Sequence, residues 1–351
     1  GELKIKNAFF DNITKTKMAY AKRCKDYKKS DAAIALDDAI HAMIEKKQLA
    51  YKIHIRTRLQ VNAEKEDETV RVWLPIPLHE ENVHDFKIID MTPGGIVNPE
   101  DTAHRNVYYE EKYEKGKEYF VEYEFVNAMK YNDPDPALVS EEQPDFCLEE
   151  QEPHFISTPY LQSVLDEILE GETNPLLKAK KIYYYVTGHL MYSFVRQYIT
   201  LPCIPMYAAT GWKGDCGIMA SLFITLCRMA HIPAQWQSGL YANPYMIDNH
   251  DWAKFYVAPF GWLYADCSFG NAGVRTDDPV KRAFYFGNLE PFRIPSAVGF
   301  QQDYVPDTLY TRRDPYDNQT GEVEFMSGPI KQEDYVMKQD IIEIVEVKDV
   351  F

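Results

Sequence analysis

The residue in this sequence best placed to do chemistry is Cys216, which opens a segment with helical periodicity. The segment reads KGDCGIMASLFITLCRMAHIPA, residues 213–234, and Asp215 is a good N-cap for a helix that starts at the cysteine. Apolar residues recur behind it at helical spacing: Ile218, Met219, Leu222, Phe223, Leu226, Met229 and Ala230. Ile232-Pro233 ends the predicted helix. At the first helical position, the dipole and the backbone N–H groups favour thiolate over thiol, which suits a nucleophile.

A thiolate nucleophile needs a base, and the base needs a group that orients it. His250 enters a strand pattern that continues downstream, and Asp266 closes the next strand. A turn at residues 259–261 would make these strands antiparallel neighbours packed on the Cys216 helix. Asp266 would then accept a hydrogen bond from one ring nitrogen of His250 while the other nitrogen faces Cys216. The pattern predicts a Cys216, His250 and Asp266 triad.

Each of these residues taken alone also has an ordinary structural interpretation. Cys216 could be a small packed side chain, His250 a hydrogen-bonded strand histidine and Asp266 a turn cap. The catalytic interpretation depends on all three occurring together in this order.

The segments around these residues predict an α+β unit. Residues 158–190 show helical periodicity, and Gly171 and Asn174-Pro175 divide them into two helices. Strand patterns follow at 234–242, 251–260 and 262–269. Helices first and strands afterwards, without β–α alternation, indicate α+β architecture. We expect the core at 157–295, with alternating strands in 296–351 extending it.

The first part of the chain shows a change of period. Residues 1–50 are predicted to be helical, with Ser30-Asp31 as a cap. Residues 51–128 contain alternating segments rich in Val, Ile, Tyr and Phe, which predict a small antiparallel β-sandwich. Residues 129–156, with several prolines and acids, indicate an irregular connector.

Composition narrows the class of protein. The 351 residues carry 38 Lys and Arg against 54 Asp and Glu, a net charge of −16. This argues against nucleic acid as a partner and favours a basic or neutral substrate. The basic cluster at Lys22-Arg23 is diluted by Asp26 and indicates a solvated helix face. No apolar run is long enough to cross a bilayer. The chain starts with Gly1 rather than Met, so we expect that its natural start, such as a signal peptide, preceded Glu2, which favours export over a cytoplasmic location.

The sequence predicts no metal site and no cofactor. The six cysteines, at 24, 147, 203, 216, 227 and 267, form no C-x-x-C pair, and the histidines form no H-E-x-x-H motif. Apart from Cys216, we interpret the cysteines as small, mostly buried side chains, one pair of which could be bridged in an exported protein. Asn318-Gln319-Thr320 fits a glycosylation pattern to which we attach no role.

GDCGIMASLFITLCRMAHIPA, HDWAKFYV and GWLYADCSFG together resemble the core of the transglutaminase-like superfamily, a papain-like group of cysteine acyl-transfer proteins. The resemblance covers roughly residues 157–295. It implies that Cys216 is the nucleophile, His250 the base and Asp266 the third member, and that Trp252 and Trp262 are aromatics that shape the site. His231 stands where the family commonly has glycine. The segment at 51–128 resembles, less specifically, the sandwich that often precedes such a core.

The remaining parts of the site are less defined by the sequence. The backbone N–H of Cys216 is the natural first donor of an oxyanion hole. The family supplies the second from an aromatic or amide side chain, for which Trp212 and Tyr192 are the candidates. Residues 196–215 and 241–249 are expected to be loops, of which residues 197–210 and 241–249 form the two rims of the cleft, with Tyr241 in the second.

The triad chemistry allows more than one activity. Thioester resolution by water makes a peptidase or amidase, and resolution by an amine makes a crosslinking transglutaminase. We expect hydrolysis of peptide or protein amides, because the chain lacks an obvious calcium loop of the kind in calcium-dependent crosslinkers. An inactive core that binds peptide or cell-wall material stays open as an alternative. A deglycosylating amidase on the same core would need zinc-binding cysteine pairs that are absent here. Oligomeric state is not readable from the sequence.

Overall fold

The computed structural model describes residues 28–314, 316, 319–348 and 350. The predicted helix before residue 28, the basic cluster at Lys22-Arg23, Cys24 and Asn318 lie outside this part of the chain. The chain divides into two compact units. The helical unit comprises residues 28–34, Asn132–Trp236 and Trp252–Leu289, and the strand-rich unit comprises Ala35–Tyr131, Gln237–Asp251 and the residues from Glu290 onwards.

Helices and strands alternate irregularly along the chain. The α-helices are α1 (Asp31–Lys46), α2 (Pro159–Leu169), α3 (Pro175–His189), α4 (Ile204–Gly211), α5 (Cys216–Met229), α6 (Cys267–Arg275) and α7 (Pro279–Phe284). The strands are β1 (Gln48–Val61), β2 (Thr69–Pro75), β3 (Val83–Met91), β4 (Ile96–Val97), β5 (Asn106–Lys112), β6 (Glu118–Lys130), β7 (Met191–Tyr192), β8 (Lys213–Gly214), β9 (Ala234–Asn243), β10 (Met246–Val257), β11 (Gly261–Ala265), β12 (Phe286–Gly287), β13 (Arg293–Val298), β14 (Glu322–Phe325), β15 (Gly328–Pro329) and β16 (Tyr335–Glu346).

The helical unit contains the two helices that the sequence predicts before the cysteine segment. Thr158 caps α2 through its side chain, which accepts from the amide of Leu161. Asn174 caps α3 in the same way, and Pro175 follows in the first turn, where its missing N–H costs nothing. The turn signals at Gly171 and Asn174-Pro175 therefore end one helix and start the next, as predicted.

Helix α5 is the buried centre of the helical unit. Its residues from Gly217 to Cys227 are buried, and α3, α4 and α6 pack against it. Strands β10, β11 and β12 form the antiparallel layer of this unit, with Ala253 opposite Ala265. The ring of Phe223 on α5 meets that of Phe255 on β10 at 5.7 Å, edge to face. The prediction that the strands pack on the cysteine helix is thus confirmed within this unit.

The strand-rich unit contains two antiparallel sheets. One has the order β16-β1-β6-β3 and the other β15-β14-β2-β5-β4, and β1 contacts β2 between the sheets. Side chains of β1 alternate: Ile53, Ile55 and Leu59 are buried, whereas their neighbours are partly exposed. This period of two is the pattern from which the sandwich was predicted.

The end of the chain joins this sandwich, which corrects the expectation that 296–351 extends the catalytic core. Strand β16 pairs with β1 along its whole length, and β14 pairs with β2. A buried ion pair accompanies the second pairing, because Arg71 Nη1 donates to Glu324 Oε1 at 2.5 Å. Alternation shows that these segments are strands but carries no information about which distant strand they pair with.

Three local predictions were wrong. Residues 196–215 were expected to be a loop because of Pro202 and Pro205, yet α4 begins at Ile204 and holds Pro205 in its first turn, where proline is tolerated. Residues 241–249 form a β-hairpin rather than a loop, with Asn243 Oδ1 accepting from the amides of Tyr245 and Met246. The strand predicted at 262–269 ends at residue 265, because Asp266 caps α6.

Candidate active site

Cys216 is the first residue of α5, as the sequence predicts. Asp215 is the N-cap: its side chain accepts from the amide of Ile218 at 3.1 Å, and its backbone oxygen accepts from the amide of Met219. The Cys216 side chain is half-buried and is not part of a disulfide. A half-buried sulfur at the positive end of a helix is both reachable by a reagent and stabilised as a thiolate.

The start of α5 is held by a tyrosine that sequence reasoning missed. The Tyr198 hydroxyl donates to Asp215 Oδ1 at 2.6 Å. A Cβ built on Gly217 would lie 2.3 Å from the Tyr198 hydroxyl and 2.6 Å from the Trp236 ring. Tyr198 and Trp236 therefore pack closely against the backbone of Gly217, next to Cys216. No sequence signal indicates this, because Tyr198 lies in a short 3-10 turn, residues 198–200, far from the three motifs.

Both candidates for the second oxyanion donor lie beside the nucleophile segment. Parallel pairing of β7 with β8 sets Met191 opposite Lys213 and Tyr192 opposite Gly214. Tyr192 is half-buried, and the Arg275 guanidinium lies 5.3 Å from its ring centroid. Trp212 adopts the left-handed conformation that ends α4, and its side chain is 57% exposed. The oxyanion roles of Tyr192 and Trp212 stay predictions.

Asp266 lies in the helical unit, directly after β11, and is fully buried. Its Oδ1 accepts from the amide of Phe269 at 2.9 Å and from the Ser268 hydroxyl at 3.0 Å. It is therefore the N-cap of α6, which packs on α5. The cap role is established, and the role of orienting a histidine stays a prediction.

His250 lies on β10 within the strand-rich unit and is 5% exposed. The next residue, Asp251, accepts from the Gln319 side chain at 2.8 Å. Strand β10 continues from His250 into the helical unit, where its residues from Ala253 onwards pair with β11. The prediction that His250 enters a strand is confirmed, and its role as a base stays a prediction.

The aromatic residues expected to shape the cleft differ in exposure. Trp262 is half-buried and packs its ring against Tyr256 and Phe146, at 5.6 and 5.7 Å. Trp252 is 1% exposed and Tyr241 is 4% exposed. Little of either side chain is left for a substrate to touch, so their predicted role in the cleft rests on the sequence alone.

The other described cysteines differ from Cys216 in environment. None of the five described cysteines is part of a disulfide. Burial raises the pKa of the Cys203 thiol and raises the pKa of the Cys227 and Cys267 thiols well above the ordinary range. Within residues 28–314 and the described part of the tail, no group of three or more His, Cys, Asp or Glu side chains is arranged to hold a metal ion. No helix in this part of the chain is long and apolar enough to span a membrane.

Comparison with known structures shows the fold. A candidate cysteine protease from Cytophaga hutchinsonii superposes with a TM-score of 0.54 and 16% sequence identity, covering 87% of this chain and 92% of that one. The periplasmic domain of TgpA from Pseudomonas aeruginosa gives a TM-score of 0.33 at 12% identity, over 70% of this chain and 96% of that domain. The first of these similarities shows that the fold is α+β with antiparallel sheets, as the sequence predicts.

Comparison of sequences gives the family. An uncharacterized protein of Haemophilus influenzae is 30% identical over 141 residues, which covers 32% of this chain and 37% of that protein. The matched part thus spans little more than a third of that relative's length. The model of the transglutaminase-like superfamily matches residues 162–267, a range that includes Cys216 and Asp266. Residues 162–267, with α5 and its cysteine at their centre, therefore match the core of the transglutaminase-like superfamily.

Proposed function

We propose that this chain is a cysteine-dependent acyl-transfer enzyme that hydrolyses amide bonds of peptides or proteins, with Cys216 as the nucleophile. The observation that carries the proposal is the position of a half-buried cysteine, not bound in a disulfide, as the first residue of α5, inside the segment that matches the transglutaminase-like core. A packed structural cysteine has no need of a helix start. A nucleophile gains there a stabilised thiolate.

The proposed reaction uses three side chains and the backbone. The Cys216 thiolate attacks the amide carbonyl carbon, and the negative charge that develops on the carbonyl oxygen is stabilised by N–H groups at the start of α5. His250, protonated, donates its proton to the leaving amine as the C–N bond breaks, which yields a thioester. His250 then takes a proton from water, which attacks the thioester and releases the acid and the thiolate. Asp266 keeps the imidazole of His250 in the required tautomer.

Strand β10 supports His250 as the base. His250 precedes Ala253 by three residues, and Ala253 pairs with Ala265, the neighbour of Asp266. An extended strand rises about 3.3 Å per residue, so about 10 Å of strand separates the Cα atoms of His250 and Ala253. His250 and the residues that pair with β11 thus belong to the same strand.

The first test measures the reactivity of the thiols. Iodoacetamide at about pH 6.5 should modify Cys216 at least about tenfold faster than the other cysteines, because a stabilised thiolate reacts where a thiol does not. Cys203, Cys227 and Cys267 are matched internal controls, because burial raises the pKa of each of them. Slow and equal labelling of all the thiols would instead support an inactive binding module.

The second test separates the two activities of the thioester. A peptide library is incubated together with a primary amine, and the products are identified by mass spectrometry. We expect cleaved peptide in the wild type and none in the Cys216→Ala variant. A predominance of amine-linked product would replace hydrolysis with transamidation, and cleavage that survives in Cys216→Ala would remove Cys216 from the mechanism.

A further inference from the structure

Two cations lie on one aromatic ring close to the nucleophile. The Arg196 guanidinium lies 5.7 Å from the ring centroid of Tyr207, and the Lys213 ammonium lies 5.9 Å from the same centroid. The three residues come from different segments of the helical unit. Tyr207 lies on α4, Lys213 on β8, and Arg196 on the stretch that follows β7. The fold thus gathers two positive charges around a single half-buried ring.

No carboxylate of the described residues forms an ion pair with either cation. The ion pairs of the helical unit lie elsewhere, for example between Lys181 and Glu170. The nearest acidic residue along the chain, Asp215, already accepts hydrogen bonds from Tyr198 and from the amide of Ile218. The two cations contact the same ring and are therefore at most about 12 Å apart, so they repel each other, and an anion bound beside them would reduce that repulsion.

The cation pair lies within reach of a substrate held at Cys216. Lys213 precedes Cys216 by three residues, so their Cα atoms are at most about 10 Å apart. A bound peptide extends about 3.3 Å per residue. A carboxylate one to three residues from the scissile amide is therefore within reach of Lys213, and Arg196 lies on the same Tyr207 ring as Lys213.

We propose that Arg196 and Lys213 form a carboxylate-binding subsite, and that the enzyme prefers substrates with a negative charge within three residues of the scissile bond. Either an acidic side chain or a free C-terminal carboxylate supplies this chemistry. The assignment of the subsite to a substrate rests on the proposed role of Cys216 as nucleophile.

This substrate charge is opposite to the one that the overall composition favours. The net charge of −16 suggests a basic or neutral substrate. At physiological ionic strength, however, charges farther than about 8 Å are largely screened at a protein surface. For a substrate group that is already bound, the two cations next to the site therefore have a larger electrostatic effect than the more distant acidic residues. For the long-range attraction of a substrate, the net negative charge still dominates.

The first experiment measures the local charge through the thiol itself. Cys216 is alkylated with iodoacetate, an anion, and with iodoacetamide, its neutral analogue, at about 20 mM salt. The rate constant with iodoacetate, divided by the rate constant with iodoacetamide, should be about three- to tenfold lower in the R196Q/K213Q variant than in the wild type. The K178Q/K180Q variant is the matched control, because it removes two positive charges from α3 of the same unit and should leave the ratio unchanged. The single R196Q variant, which changes an exposed side chain, serves if the double variant does not fold.

The second experiment tests the substrate with peptides that differ only in charge. One set contains an internal Glu with an amidated C-terminus, one contains Gln with a free C-terminal carboxylate, and one contains Gln with an amidated C-terminus. The wild type should show about tenfold higher kcat/KM for one of the charged sets than for the neutral set, and R196Q/K213Q should lose that difference. The charged set that is preferred identifies the source of the carboxylate.

Each outcome decides between the two proposals. Cleavage that needs Cys216 but shows no charge preference overturns the subsite and leaves the proposed function standing. If no peptide is cleaved, the same peptides are tested for protection of Cys216 against iodoacetamide. If charged peptides protect Cys216 in the wild type and this protection is lost in R196Q/K213Q, the subsite is supported even without turnover. If R196Q/K213Q has the same alkylation ratio as the wild type, and charged and neutral peptides protect equally, the subsite is refuted.

Discussion

The substitution Gly217→Ala tests whether the packing next to Cys216 holds the nucleophile in place. A Cβ at this position would lie 2.3 Å from the Tyr198 hydroxyl and 2.6 Å from the Trp236 ring. Trp236 is 1% exposed, so its ring has little room to move. The added methyl group must therefore displace the Tyr198 ring, the Trp236 ring or the first turn of α5.

Two opposing contributions determine how much Gly217→Ala changes the free energy of unfolding. Alanine in place of glycine within a helix stabilises by up to about 1 kcal/mol. Forcing a methyl group into a close-packed site costs about 1–3 kcal/mol. We expect Gly217→Ala to lower the free energy of unfolding by about 1–2 kcal/mol in total.

Gly211→Ala is the matched control, because Gly211 also lies in a helix of the helical unit. The nearest atom to a Cβ added at Gly211 would be Lys213 Cγ at 3.8 Å, an ordinary contact. This variant should be neutral or more stable by up to about 1 kcal/mol. Urea unfolding followed by tryptophan fluorescence and circular dichroism measures both variants, and their free energies of unfolding should differ by about 1–3 kcal/mol.

Reactivity supplies a second readout of the same substitution. If the close contacts hold the first turn of α5, Gly217→Ala should also slow the alkylation of Cys216 severalfold, whereas Gly211→Ala should not. A Gly217→Ala protein as stable as Gly211→Ala, with wild-type alkylation, would refute the argument that packing at Gly217 fixes the nucleophile.

The remaining predictions concern the helix cap and two buried groups. Asp215→Ala removes the acceptor for the amide of Ile218 and should destabilise the protein by about 1 kcal/mol, measured by urea unfolding, with Asp215→Asn recovering most of the loss. Burial lowers the pKa of His104 to about 3, so its imidazole takes up a proton on unfolding at a pH below about 6.5. The free energy of unfolding should therefore fall by up to about 1.4 kcal/mol per pH unit as the pH drops from about 6.5 to about 3. His104→Phe should flatten this slope. Glu324→Ala removes the carboxylate that lies 2.5 Å from buried Arg71 and leaves it only the exposed Glu110 at 3.5 Å, so it should cost about 3–5 kcal/mol, whereas a cost below about 1 kcal/mol would show that the pair contributes little to the sandwich.

Local sequence signals predicted most of the elements of this fold. Helical periodicity, divided by Gly171 and Asn174-Pro175, predicted α2 and α3, and the cap at Asp215 with the apolar stripe behind it predicted α5, because such signals act over one or two turns. Long-range pairing was not readable, because the alternation of β14 and β16 fits any sheet with an open edge. The error at Asp266 has a related cause: a carboxylate that ends a strand also caps a helix, and both roles have the same local sequence.

In the candidate site, too, local features were predicted from the sequence and contacts between distant segments were not. The motifs led to Cys216, His250 and Asp266, and the predicted starting position of α5 is confirmed. Tyr198, Arg196 and Lys213 were not identified, although they contact or flank the nucleophile segment. Each of them makes its contact with a residue from another segment, and such contacts leave no periodicity in the sequence.

The glycines beside Cys216 show how the position of a nucleophile can be encoded by missing side chains. A Cβ on Gly214 would lie 2.6 Å from Ile218 Cγ2, and a Cβ on Gly217 would meet Tyr198 and Trp236. The chain is thus packed closely on both sides of the cysteine, by its own helix on one side and by two aromatic rings on the other. In the sequence, the two glycines look like the flexible residues of a turn. In the fold, the absence of a side chain at these glycines allows close contact with the neighbouring residues. The backbone of the Gly-Asp-Cys-Gly run is therefore tightly packed. A nucleophile requires such a fixed backbone, because its sulfur must approach the carbonyl carbon from one direction.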